Sequence, residues 1–184
     1  MDKKSVGEHT GFRLIVMTAV FVAATLAMSI VIPPIPIPGT HGNINLCDAG
    51  ILVSALLLGP RVGGVVGALS GFLLDILTGY SNYSIFSFIV HGLEGLIAGW
   101  LSVHLSRKYS AIFATICAVI IMVVGYFFAD SILYTFAAGF LGIFTNIIQG
   151  IVGAAIALFV TPFLKSRVTA PTSSFGTKKI SRLS

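Results

Sequence analysis

The sequence predicts an all-α integral membrane protein of six transmembrane helices, with both termini on the cytoplasmic side (N-in/C-in). Composition is the first reason. Of 184 residues 56% are hydrophobic and 9% charged, with a mean hydropathy of +1.01. A soluble domain carries about 25% charged residues, so this chain needs lipid as part of its solvent. The second reason is length. A span takes about 20 residues, and six of them leave room for short loops only. The third is charge placement. With a cytoplasmic N-terminus, Lys3, Lys4, Arg61, Arg107, Lys108, Lys165, Arg167, Lys178, Lys179 and Arg182 fall in inner segments, and Arg13 lies at the inner mouth of helix 1. The outer loops hold no Lys or Arg, which satisfies the positive-inside rule.

Helix 1 is predicted over Phe12 to Ile32, too long for a signal-peptide core and with no small-residue cleavage site after it. The run Pro33-Pro34-Ile35-Pro36-Ile37-Pro38-Gly39 ends it and favours an extended chain. Helix 2 starts near Asn45 and stops at Gly59-Pro60, short for a full crossing. Helix 3 covers about 62–77 and is followed by the loop Thr78-Gly79-Tyr80-Ser81-Asn82-Tyr83. Helix 4 spans Ser84 to Leu105, helix 5 Ala111 to Asp130 or Tyr134, and helix 6 Phe140 to Leu164. Residues 1–11 form a cytoplasmic N-terminus, 12–164 one membrane domain, and 165–184 a basic Ser/Thr-rich tail expected to lie disordered near the membrane surface.

The +5 net charge reads as topology signal, not nucleic-acid binding. Cys47 and Cys117 fit no metal motif and are expected unpaired; no metal site is predicted. There is no P-loop, GxSxG or HExxH, so the chain is not read as an enzyme and carries no ATPase of its own.

Small residues recur at spacing four: Ala19, Ala23 and Ala27 on helix 1, Gly63, Gly67 and Gly71 on helix 3, Gly95 and Gly99 on helix 4. Such strips admit close helix contact. The glycines read as internal packing; the alanines suit a helix of this chain or of another protein.

Acids in the membrane need a reason, since each costs at least about 2.5–3.5 kcal/mol there. Asn45 and Asp48 read as an N-cap with an acid at its third helical position. Asp75 sits where the helix 3 dipole opposes it. Asp130, at the outer end of helix 5, is placed to snorkel to water. On helix 4, Ser84, Ser87, His91 and Glu94 line one face, Glu94 about 15 Å deep. Gly142, Asn146, Gln149 and Gly153 form a matching stripe on helix 6. Two polar stripes of similar depth point to a cavity open to the outside or to a structural clasp. Tyr80, Tyr83, Tyr126 and Tyr134 crowd the outer rim, where a flat vitamin-sized ring can bind between aromatic faces. Without outer cations, a phosphate-bearing ligand is disfavoured. Backbone amides at the start of helix 2 remain available to a carboxylate.

Five segments then carry a resemblance: Asn45-Leu46-Cys47-Asp48-Ala49-Gly50, Leu58-Gly59-Pro60-Arg61-Val62-Gly63, Gly79-Tyr80, His91-Gly92-Leu93-Glu94-Gly95 and Asn146-Ile147-Ile148-Gln149-Gly150. In this order they resemble the substrate-binding S components of energy-coupling factor (ECF) vitamin transporters, in the riboflavin-transporter-like group with its hydroxymethylpyrimidine/pyridoxine-type members. Cys47 stands where that group has glycine, and His91 where lysine is common. The resemblance implies a multi-pass protein of a prokaryotic plasma membrane. It would capture a vitamin from outside, pyridoxine or hydroxymethylpyrimidine before riboflavin or pantothenate, and dock on a transmembrane T component driven by two ATPases. ATP would be used by those partners alone, with no cofactor in this chain. Ala19, Ala23 and Ala27 would face the T component. The substrate residues would be Asn45, Asp48, Tyr80, Tyr83, Ser87, His91, Glu94, Tyr126, Asp130, Asn146 and Gln149. A small proton-coupled carrier using Asp75 and Glu94, or a non-transporting scaffold, remains open from the residues alone.

Overall fold

The computed structural model describes residues 3–32, 35–36, 43–105 and 109–168. Its order is α1 (Lys3–Val31), β1 (Ile35–Pro36), β2 (Asn43–Ile44), α2 (Cys47–Leu58), α3 (Pro60–Thr78), α4 (Ser84–His104), α5 (Ser110–Leu133) and α6 (Phe136–Val168). Five helices are long and apolar enough to cross a membrane; α2 is not. Its 12 residues rise about 18 Å, against a hydrocarbon core of about 30 Å. The protein is an all-α membrane protein with large apolar side chains such as Phe113, Ile120 and Phe128 turned outward.

Most boundaries follow local chemistry. Pro60 opens α3 at a position where its missing N–H costs nothing. Gly79 closes α3 with φ 87°, its N–H reaching the Asp75 carbonyl, a left-handed cap that suits glycine. Two helices start earlier than expected. α1 begins at Lys3, nine residues before Phe12, because its polar first turns continue the helix without an apolar signature. α6 begins at Phe136, because Thr135 Oγ1 accepts the Ala138 N–H and caps the turn. The proline-rich connection is extended where described, with Ile35 opposite Ile44 in an antiparallel pair. Positions 33–34 and 37–42, the Arg107-Lys108 pair and the tail beyond 168 lie outside the described residues.

α2 is the hub. Every residue from Cys47 to Ala55 is buried, and the helix packs against α1, α3, α4 and α6. Leu52, Val53 and Ala55 join Ala98, Ala118 and Ala157 in one apolar cluster. α5 lies between α4 and α6, while α1 packs on α2 and α3.

The α3 and α4 glycine strips meet as a seam. A Cβ on Gly63 would strike the Gly95 carbonyl, one on Gly67 the His91 carbonyl, and one on Gly71 the His91 ring. The seam therefore fixes the height of His91 as well as the helix spacing. Ala19, Ala23 and Ala27 are exposed. Ala19 and Ala23 line an apolar groove of about 640 Å³ with Leu26, Val62, Val65 and Leu69. Cys47 and Cys117 are both free thiols.

Candidate functional site

A polar column runs through the apolar bundle. At the end carrying the α3–α4 turn, Tyr83 donates to Asp130 Oδ1 at 2.5 Å, and Asn82 Nδ2 donates to the Tyr134 hydroxyl at 2.8 Å. The Tyr83 ring lies 5.9 Å from that of Tyr134 and 6.4 Å from that of Tyr126. Burial first, and the Asp130 carboxylate second, push the Tyr83 phenol far up, so it remains a donor.

Tyr126, on α5, passes the column inward. Its hydroxyl is 2.7 Å from Ser87 Oγ and 2.9 Å from His91 Nε2. On the other side of the ring, His91 Nδ1 is 2.7 Å from Glu94 Oε2 and 3.4 Å from Asp48 Oδ1. A carboxylate only accepts. One proton therefore lies between Nδ1 and Oε2, and a second is shared between the Tyr126 hydroxyl and Nε2. Asp48 and Glu94 are fully buried and His91 nearly so. Even so, both Asp48 oxygens and Glu94 Oε1 lack a hydrogen-bond partner among the described residues.

The helix 6 stripe reaches this cluster through α2. Gln149 Oε1 accepts the Asn45 N–H at 2.9 Å, and Asn45 Oδ1 accepts the Cys47 N–H at 2.8 Å. Gly153 packs on Asp48 and Gly142 on Asp130, so the stripe's small residues make room for carboxylates.

The placements differ from the sequence expectation in three respects. Asn45 is not the N-cap: Leu46 holds that position, and Asp48 is the second helical residue, with no side-chain capping bond. Because the first turn of α2 is enclosed by α4 and α6, the Asp48 carboxylate faces His91 instead of its own amides. Asp130 does not snorkel; it is buried against Tyr83. The two stripes do not meet directly; α2 bridges them. Tyr80 is half-buried and its side chain makes no hydrogen bond or ring contact among the described residues. Asn146 stands beside Gly142 and Asp130. Ser84 turns back to the Ser81 carbonyl.

Asp75 was expected only as a proton site of the carrier alternative, and Asn82 was not expected at the site. Asp75 lies beside Ser87 and His91, with Oδ2 buried and unpaired among the described residues. A charge at a helix C-terminus in an apolar segment was the signal for it. Asn82 had none beyond its place beside Tyr83.

Comparison with known proteins places this column in a family. The family described as ECF-type riboflavin transporter, S component, matches residues 10–166. The chain belongs to that family. The S component is also 33% identical over 171 residues to the thiamine precursor transporter HmpT of Lactococcus lactis subsp. cremoris (strain MG1363), covering 90% of this chain and 92% of that one. A Pyrococcus woesei protein, described as an uncharacterized protein in gap 3'region, is 32% identical over 134 residues, 73% of this chain and 90% of its own. The family is one of transporters, in keeping with a column that buries acids and imidazole across several helices.

Proposed function

We propose that this S component is the vitamin-binding subunit of an ECF-type importer in a prokaryotic plasma membrane, taking hydroxymethylpyrimidine or pyridoxine. The likeness to a thiamine precursor transporter over nearly the whole of both chains carries the reading. In it the chain crosses the bilayer six times, α2 included, with both termini inside, and residues 12–164 form the membrane domain. The α3–α4 turn then faces outward, and the polar column leads from outside to the centre of the bundle.

Tyr83, Tyr126 and Tyr80 flank the ligand ring, while Asp48, His91, Glu94, Ser87, Asn45, Asn146, Gln149 and Asp130 present polar atoms to its edges. The aromatic faces suit a flat heterocycle, and a buried set of few polar groups suits orientation over bulk affinity. The exposed Ala19, Ala23 and Ala27 strip and its groove are the docking face for a T component, which two ATPases drive with ATP; this chain holds no cofactor.

Native mass spectrometry of the purified protein tests the reading. A co-purified pyrimidine or pyridine vitamin is expected. Ion-gradient-driven uptake by liposomes holding this protein alone overturns it in favour of a stand-alone carrier.

A further inference from the structure

Resting on the vitamin-binding reading above, we infer that the Asp48–His91–Glu94 cluster selects heterocycles that present adjacent hydrogen-bond donors, an amino group beside a protonated ring nitrogen, and rejects their carbonyl counterparts.

Asp48 Oδ1 and Oδ2 and Glu94 Oε1 are buried acceptors that no well-formed hydrogen bond satisfies among the described residues, although His91 Nδ1, 3.4 Å away, and Gln149 stand beside Asp48. His91 cannot supply both acids: Nδ1 is engaged with Glu94 at 2.7 Å, and Nε2 faces the Tyr126 hydroxyl at 2.9 Å. Gln149 gives its carbonyl oxygen to the Asn45 N–H, which leaves its amide N–H toward Asp48. The cluster is still richer in acceptors than in N–H or O–H.

Charge leads to the same chemistry. Asp48 and Glu94 face one imidazole, so the cluster holds more acids than bases, and Asp75 adds a further carboxyl group nearby. The described cations on α3 and α6, Arg61 and Lys165, stand about 21 and 24 Å along their helix axes from Asp75 and Gln149 at 1.5 Å per residue. A carboxylate or phosphate ligand would add to an uncompensated buried charge. An amino group beside a protonated ring nitrogen offers two parallel N–H bonds to a single carboxylate, the strong charge-assisted arrangement.

A metal ion is the competing occupant. One ligand atom from each residue lies within 4.8 Å of the others, so three donors are close enough to share an ion. Against this, both imidazole nitrogens already hold hydrogen bonds within the column. An ion would have to displace the His91–Glu94 proton, whereas an N–H ligand meets the orphan oxygens with the column unchanged.

The test is calorimetric titration of the full-length protein in detergent with 4-amino-5-hydroxymethyl-2-methylpyrimidine and with its 4-oxo counterpart. The amino compound is expected to bind at least about a hundredfold tighter, because a site built around acceptors is left unpaired by an acceptor. Asp48→Asn brings a donor into the cluster, so it is expected to weaken the amino compound and tighten the oxo one. A variant that is merely damaged would weaken both. Equal affinities in the wild type, or an unchanged preference in both Asp48→Asn and Glu94→Gln, overturn the inference while leaving the vitamin reading standing. Loss of binding on chelation with recovery on adding zinc overturns it in favour of a metal site. Binding of neither compound, with a carboxylate vitamin found by mass spectrometry instead, overturns both the inference and the ligand of the proposed function.

Discussion

Tyr126 is the residue on which the two halves of the column depend. Its hydroxyl touches both Ser87 and His91, and its ring sits against those of Tyr83 and His91. Tyr126→Phe keeps the ring and removes the hydroxyl, leaving His91 Nε2 without its 2.9 Å hydrogen-bond partner. Such a loss costs about 1–3 kcal/mol, so a lower melting temperature in detergent is expected, with weaker ligand binding by calorimetry. Glu94→Gln separates two functions. In a binding subunit it is expected to weaken binding itself, whereas in a proton-coupled carrier it would stop transport and spare binding; equilibrium binding beside uptake distinguishes them. At this scale the sequence was half legible. The three- and four-residue spacing exposed Ser87, His91 and Glu94 as one face of α4. Asp48 was misread, because local spacing suggests a cap and only the enclosing helices turn its carboxylate toward His91.

Among the elements, the α3–α4 seam is the most demanding. Its glycine strips were readable, since small residues every four positions signal close approach whatever the partner. Which strips face each other is a tertiary fact, and the structure supplies it. A Cβ at Gly67 would sit 2.0 Å from the His91 carbonyl, closer than any relaxed contact. Gly67→Ala is expected to cost about 1–3 kcal/mol as overpacking and to weaken ligand binding by shifting His91; a thermal melt and a titration on one preparation check both. Helix ends were legible where glycine or proline marks them, as at Gly59-Pro60 and Gly79. They were missed where a polar turn prolongs a helix, as at the start of α1, or where a lone threonine caps it, as at Thr135.

The whole molecule keeps its alanine strip at the surface, apart from the polar column. α1 packs on α2 and α3 and leaves Ala19, Ala23 and Ala27 uncovered. Replacing Ala23 by tryptophan would fill the groove between α1 and α3 without touching Asp48, His91 or Glu94. It is expected to leave vitamin binding by the isolated protein within about twofold of wild type, and to cut uptake at least about tenfold when T component and ATPases are co-expressed. Surface substitutions away from special features cost little. Unchanged uptake would show that the partner docks elsewhere. The membrane class was legible from composition alone, because lipid exposure needs only the absence of charge. The short reach of α2 was legible from the Asn45 to Gly59 interval, whereas its enclosure on all sides was not.

That enclosure bears on how the protein is made. α2 leaves the ribosome well before α6, which carries the Gln149 and Gly153 that close over its first turn. Until α6 arrives, the hub helix carries an acid toward an unfinished wall. A chain cut short before Phe136 is therefore expected to be cleared by membrane quality control instead of accumulating, which pulse-chase immunoblotting would register as a shortened half-life. The centre of this molecule is completed only when α6 closes over a helix made long before it.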